Sequence, residues 1–280
     1  MLPRTSLRGA ASVASSVASR ERYSRAMNIA WKALTDVGRK RKGNEDSLVA
    51  NAEQKLFVVA DGMGGHAAGE VASKVAVDSI NEFVQLTGGD EEITWPFGLD
   101  DSMSYDGNRL KTAVRFANRK VLDATKEKTE YEGMATTVAA VLVDEQTANL
   151  AHVGDSRIYL FRAGELSQLT SDHSWVNEQL QSGIISPEQA RTHPLRNVVT
   201  RALGGRADLQ VDMAAHDLKV EDMLLLCSDG LTTMVPDEHI ARLLNDNDGD
   251  IEKGAEALVA EANARGGEDN ITVVLLRFKG

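Results

Sequence analysis

Apolar and polar positions fall into short blocks along most of this chain, and the blocks predict its elements. Residues 55–60, 137–143, 147–153, 157–161, 223–228 and 271–278 are apolar runs that read as strands. Two segments carry a helical stripe instead. Val71, Val75, Ala76, Ile80 and Phe83 share one face of a first helix. Leu110, Val114, Ala117, Val121 and Leu122 share one face of a second. A third helix is expected over 251–264. The more polar stretch 171–192 predicts a helix at 175–182 and another starting near Pro187. Turns are expected at 163–165 and 202–205, and the segment 88–108, with GGDEE, WPFG and DGN, reads as a surface excursion. Strands come in runs with helices grouped between them. That order favours an α+β layered domain over a doubly wound one.

Residues 1–26 differ from the rest, being rich in Ser, Ala and Arg with Glu21 as the only acid. They read as a disordered tail, or as an extension upstream of a start at Met27, rather than as a transit peptide, because no apolar stripe repeats at helical spacing. The fold is expected in 27–280, and from Trp31 onward no long linker, low-complexity tract or internal repeat interrupts the chain.

Charge and cysteine usage narrow the chemistry. With 31 basic and 42 acidic residues the net charge is −11, which argues against coating a nucleic acid. The one cysteine, Cys227, allows neither an internal disulfide nor a Cys-rich zinc site and fits a reducing, cytoplasmic setting. No apolar run is long enough to cross a membrane as a helix.

The aspartates are the informative residues. LFVVAD ends an apolar run in Asp61, followed by Gly62, and LLLCSD does the same with Asp229. Asp269 directly precedes the strand ITVVLL, and Asp46 precedes the short run LVA. One Asp-Gly pair is an ordinary turn. Four carboxylates at strand edges would repel one another if packing gathered them, unless cations compensate. Oxygen ligands without His or Cys suit Mg²⁺ or Mn²⁺, and two such ions bring roughly +4. Bound water then loses a proton near neutral pH and can attack phosphorus in line. The basic run Arg39, Lys40, Arg41, Lys42 is either a solvated loop or a phosphate grip. Arg41 is the candidate clamp, since a guanidinium matches two phosphate oxygens.

GRKRKGNEDS, VVADGMGGH, GMATT, HVGDSRIY, LLLCSDGL and GGEDNITVVLL occur in this order across 38–276. Together they resemble the metal-dependent type 2C serine/threonine protein phosphatases, especially the compact bacterial kind. The resemblance implies a four-layer α-β-β-α sandwich of two antiparallel sheets. It implies hydrolysis of phosphoserine and phosphothreonine by metal-activated water. Arg41, Asp46 and Asp61 would do the catalytic work. Asp61 would bridge two metals, the Gly62 carbonyl would bind one, and Asp229 and Asp269 would complete the other. Glu45 and Asp46 would hold metal-bound waters, with Asn270 in support. Asp155 would help Asp229 hold a third, weaker metal, or else is a turn residue between strands. The segment 169–203 would be a mobile flap, in which His193 is a substrate-sensing residue or a helix-terminal histidine.

Eukaryotic relatives often have DGH where this chain has Met63, so the leaving-group proton is left to a metal-bound water or to His66. Implied partners are phosphoproteins that a serine/threonine kinase modifies, and that kinase itself. Nothing in the sequence suggests an obligate dimer, so a monomer is expected.

Other chemistries fit less well. A cysteine phosphatase needs Arg six residues after its nucleophile, and Thr233 stands there. The histidine-dependent metallophosphatase stretches are absent, with GDSRIY and GNED in their places. GMGGHA matches a dinucleotide fingerprint only superficially, because the Asp61 charge would oppose a pyrophosphate. NDNDGD puts Leu244 where a calcium loop needs its first ligand. A catalytically dead phosphoprotein-binding relative would have lost a metal aspartate, and none is missing.

Overall fold

The computed structural model describes residues 28–64, 68–88 and 97–280. The expectation for 1–26 lies outside the described residues. The elements in chain order are β1 (Asn28–Asp36), β2 (Asp46–Asn51), β3 (Leu56–Met63), α1 (Ala68–Leu86) and α2 (Tyr105–Ala124). Then come β4 (Ala135–Thr136), β5 (Val138–Asp144), β6 (Thr147–Val153), β7 (Arg157–Arg162) and β8 (Glu165–Gln168). The chain continues through α3 (Trp175–Gln181), α4 (Pro187–Thr192), β9 (Asp212–Asp217) and β10 (Met223–Cys227). It closes with α5 (Asp229–Thr232), α6 (Asp237–Asp246), α7 (Ile251–Ala264) and β11 (Ile271–Lys279).

The strands form two antiparallel sheets. One has the order β1-β11-β10-β7-β8 and the other β2-β3-β5-β6-β9, with β4 beside β3. Successive side chains point to opposite faces, and both faces of the central strands are buried. Leu56, Val58 and Ala60 of β3 pack with Ala72, Ala76 and Ile80 of α1, whereas Phe57 and Val59 pack between the sheets with Leu224, Leu226 and Val274. Strand β11 divides likewise. Val273 and Leu275 face Leu258 and Ala262 of α7, while Val274, Leu276 and Phe278 enter the core between sheets. The result is the expected four-layer sandwich, and burial on both sides is why these strands read as unbroken apolar runs. Each such side chain contributes about 1.5–3 kcal/mol relative to exposure, so a charge at Val58 or Val274 would disrupt two layers at once.

The sequence-based expectations for 147–153 and 251–264 coincide with β6 and α7. The other predicted strands and helices shift by a few residues. Strands β1, β8 and β9 were not anticipated. They are edge strands with half-exposed patterns, so they lack a continuous apolar run. The expected excursion over 88–108 also needs correction at its end. Tyr105–Asn108 begin α2, because the Ser104 side chain caps the helix by accepting from the Gly107 N–H at 2.9 Å.

Antiparallel pairing sets the ends of the strands that matter on one rim. The start of β2 lies beside the end of β3, with Asp46 opposite Asp61 in register. The end of β10 lies beside the start of β11, with Cys227 opposite Val273. The β6–β7 turn lies between the two sheets.

Candidate active site

Two glycines let the rim close. A Cβ on Gly230 would lie 2.0 Å from the Asn270 carbonyl oxygen, so the chain after β10 passes against the chain before β11 only because that atom is missing. This approach brings Asp229 towards Asp269. A Cβ on Gly62 would lie 2.0 Å from the Gly69 carbonyl oxygen, and the Gly62 N–H donates to the Glu45 carbonyl at 3.1 Å. That contact seats the Glu45–Asp46 segment against Asp61.

Hydrogen bonds fix the Asp46 and Asp269 carboxylates and the backbone of Asp61. Ser228 Oγ donates to Asp46 Oδ2 at 2.7 Å and accepts from the Thr272 N–H at 3.0 Å. The Asp61 N–H donates to Thr137 Oγ1 at 2.9 Å. Asn270 pins the basic loop. Its Oδ1 accepts from the Glu45 N–H at 2.8 Å, and its Nδ2 donates to the carbonyls of Val37 and Gly43, each at 2.9 Å. Arg41 Nη2 reaches Asp269 Oδ2 at 2.7 Å.

The electrostatics are those of crowded anions. Burial, then repulsion from Asp46 and Asp229, holds Asp61 well above the carboxylate range. Burial pushes Asp46 up to about 7, despite hydrogen bonds from Thr272 and Ser228. Burial and the Asp229 charge push Asp155 up to about 8. Burial and Asp269 raise Asp229 to about 6. One oxygen each of Asp46 and Asp229 is buried without a partner among the described residues. Such atoms are costly unless something pairs with them. An all-oxygen donor set with unpaired buried oxygens fits Mg²⁺ or Mn²⁺. No three His, Cys, Asp or Glu side chains among the described residues stand close enough to hold one ion by themselves. Asp269 instead takes its compensation from Arg41 and from the Asn270 N–H, at 2.8 Å.

Asp229 lies where two cavities meet. A groove of about 790 Å³ runs from Asp155 and Asp229 between the α3–α4 segment and the start of α6. A smaller one of about 130 Å³ adds Arg41 and Asp269. Asn197, from the segment after α4, lines both. Sequence reading passed over Asn197, as it did Thr137 and Ser228, because no periodicity or charge marks an isolated polar residue. His193 lies at the end of α4 with its ring stacked on Trp175 at 4.6 Å, and its Nδ1 accepts from the Leu195 N–H at 3.1 Å. It is not among the residues lining either cavity. His66 lies outside the described residues. Buried Cys227 has its thiol pushed up to about 12 by desolvation, which leaves it no role as a nucleophile. No helix among the described residues is long and apolar enough to cross a membrane.

Comparison with known proteins gives the family of the chain. The sequence model of the protein phosphatase 2C family matches residues 39–251. The chain is 39% identical over 249 residues to the serine/threonine phosphatase stp of Listeria monocytogenes serotype 4b, covering 86% of this chain and 93% of that one. It is 37% identical over 246 residues to the protein phosphatase PhpP of Streptococcus pneumoniae, covering 87% and 95%. Among solved structures, the serine/threonine phosphatase PstP/Ppp of Mycobacterium tuberculosis superposes with a TM-score of 0.79 at 35% identity, over 90% of this chain and 99% of that one. A catalytic domain of PstP in complex with two manganese ions superposes at 0.78 with 33% identity, over 91% and 100%.

Proposed function

Because the chain belongs to the protein phosphatase 2C family, we propose that it hydrolyses phosphoserine and phosphothreonine on proteins by direct attack of water at a binuclear Mg²⁺ or Mn²⁺ centre. The observation that carries this reading is the convergence of Asp46, Asp61, Asp155, Asp229 and Asp269 on one rim beside Arg41, with buried carboxylate oxygens unpaired. When bound, the two cations neutralise phosphate charge and make hydroxide available near neutral pH.

The chain's own residues supply the rest. Asp61, the Gly62 carbonyl, Asp229 and Asp269 would hold the ions, and Asp155 with Asp229 would offer a third, weaker position. Glu45 and Asp46 orient water, with Asp46 held by Ser228. Asn270 keeps the 37–45 loop in place so that Arg41 meets the phosphate. Arg41 leaves Asp269 for the phosphate when substrate enters, which is an exchange of one anionic partner for another. The groove beside α3 and α4 receives the peptide around the phosphorylated residue. A large groove favours protein substrates over small phosphoesters, and targets of a serine/threonine kinase, with the kinase itself, are the natural ones. A cytoplasmic setting is in keeping with a sequence whose single cysteine can form no internal disulfide, and a monomer is the oligomeric state we propose.

The test is hydrolysis of a phosphothreonine peptide beside p-nitrophenyl phosphate, first with EDTA and then with Mn²⁺ or Mg²⁺. Activity that vanishes with chelator and returns with metal supports the reading. No activity under saturating Mn²⁺ overturns it in favour of a phosphoprotein-binding regulator.

A further inference from the structure

Asp155 sits in the turn between β6 and β7, and its neighbours on both sides are tied down. The Gly154 N–H donates to His173 Nδ1 at 3.0 Å, and the Gly154 carbonyl accepts from the His173 N–H at 2.7 Å. On the other side, the Ser156 carbonyl accepts from His152 Nε2 at 2.9 Å, and Ser156 Oγ meets Thr137 Oγ1 at 2.7 Å. Thr137 is the residue whose hydroxyl accepts from Asp61, so the two aspartates share one support. Gly154 has φ +108°, and a Cβ there would lie 2.5 Å from Thr137 Cγ2. Only glycine allows the turn to pass this close to Thr137.

The state of His173 follows from its partners. A backbone N–H only donates, so Nδ1 is bare and the proton is on Nε2. Nε2 donates to Asp212 Oδ2 at 3.0 Å; Arg201 Nη1 donates to Asp212 Oδ1 at 2.6 Å and also lies 2.9 Å from Nε2, so the Asp212 carboxylate accepts from both of these neighbouring donors. Burial holds the imidazole below its ordinary value, in keeping with a neutral ring. The buried ring of His152 lies 4.8 Å away.

His173 is also where the flap leaves the body. Its carbonyl accepts from the Thr200 N–H at 2.8 Å, and Ser174 pairs with Val199 just beyond. The adjacent Asp172 pairs with Arg157 at 2.7 Å, two residues past Asp155. The root of the flap and the turn bearing Asp155 thus form one hydrogen-bonded unit.

We propose that His173 is a positioning residue: by accepting the Gly154 N–H it holds the turn that presents Asp155 to the active site, while Asp212, itself held by Arg201, accepts from Nε2 and fixes the tautomer. The proposal rests on the reading of Asp155 as an active-site residue given above. A side chain that merely fills space at this position would not care which of its atoms accepts or donates, and that distinction can be measured.

Asn at 173 puts an acceptor where Nδ1 stands and gives up the bond to Asp212. Gln puts a donor where Nε2 stands and gives up the acceptor for Gly154. The full chain would be compared as wild type, His173→Ala, His173→Asn and His173→Gln, all at matched thermal stability. The first readout, in EDTA-treated protein, is hydrogen exchange of the Gly154 amide by NMR. Protection kept in His173→Asn but reduced on the order of tenfold in His173→Gln and His173→Ala is expected for loss of one buried bond. The second is kcat and KM for a phosphothreonine peptide with saturating Mn²⁺. The expected pattern is a fall in kcat of about tenfold for Gln and Ala, with rescue by Asn and little change in KM.

Equal protection in Asn and Gln would overturn the proposal, as would loss of protection with kcat unchanged. The exchange readout does not depend on turnover, so a protein inactive even as wild type would defeat the functional reading separately.

Discussion

Replacing Asp229 with Asn is expected to stabilise the chelator-treated protein while nearly abolishing turnover. The carboxylate is crowded by Asp269 and lies within hydrogen-bonding reach of Asp61, and its Oδ1 is buried without a partner. Burial and repulsion lift it from 3.8 to about 6. A lift of that size corresponds to about 3 kcal/mol. This is an upper bound, because the residue is partly open to the groove. Asn also gives up a carboxylate at the first turn of α5, a loss of about 0.3–1 kcal/mol. The net gain should be about 1–2 kcal/mol.

The sign fixes the pH window. An acid with a raised folded-state pKa costs stability once ionised, so the cost is full above about 6 and disappears towards 3.8. The advantage of Asp229→Asn should therefore be largest near about pH 8 and shrink as pH falls through about 6 and below. Urea unfolding in EDTA at several pH values measures it, read as a shift in midpoint at constant slope. Activity with saturating Mn²⁺ is measured alongside. A variant that is less stable than wild type at pH 8 in EDTA, or equally active, refutes the reasoning.

Other perturbations separate the parts of the site. Arg41→Ala should mainly raise KM for phosphothreonine peptides and change unfolding free energy by less than about 1 kcal/mol, since the ion pair with Asp269 is exposed; a large fall in kcat at unchanged KM would show that it acts on the transition state instead. Asn197→Ala should raise KM for peptides more than for p-nitrophenyl phosphate, because Asn197 lines the large groove as well as the small cavity beside Arg41; equal effects on both substrates would place it in the phosphate site alone. Gly230→Ala should destabilise by about 1–3 kcal/mol or more, since its Cβ would meet the Asn270 carbonyl, and a melt like wild type's would contradict the packing of β10 against β11. Cation binding at about pH 7 should release protons, because Asp46 and Asp155 are lifted to about 7 and about 8 in the protein alone. Binding enthalpies that do not vary with the ionisation heat of the buffer would count against that.

Much of the fold was legible because the central strands are buried on both faces, so β3, β5, β6, β10 and β11 declare themselves as apolar runs. The candidate site was legible for a related reason. A charged residue at the end of such a run, as with Asp61 and Asp229, conflicts with burial and so stands out. The edge strands β1 and β9 were silent, because half-exposed positions mix polar and apolar residues. Contacts between distant segments were silent too. Nothing in the sequence says that Arg41 meets Asp269, 228 residues away, or that Ser228 holds Asp46. The pairing of His173 with Gly154 belongs to the same kind, since it exists only once the flap root folds back on the β6–β7 turn. His193 shows the converse. The resemblance allowed a substrate-sensing or a helix-terminal histidine, and the side chain stands at the end of α4 with its ring stacked on Trp175, an arrangement decided by the packing of α3 against α4.

The most direct test of the account is a Mn²⁺ titration of the metal-stripped protein, with calorimetry and phosphate release from a phosphothreonine peptide followed on the same sample. The account predicts no turnover without metal, at least two bound ions, and activity that follows occupancy of the second. Full turnover in chelator, or with a single bound ion, would contradict it.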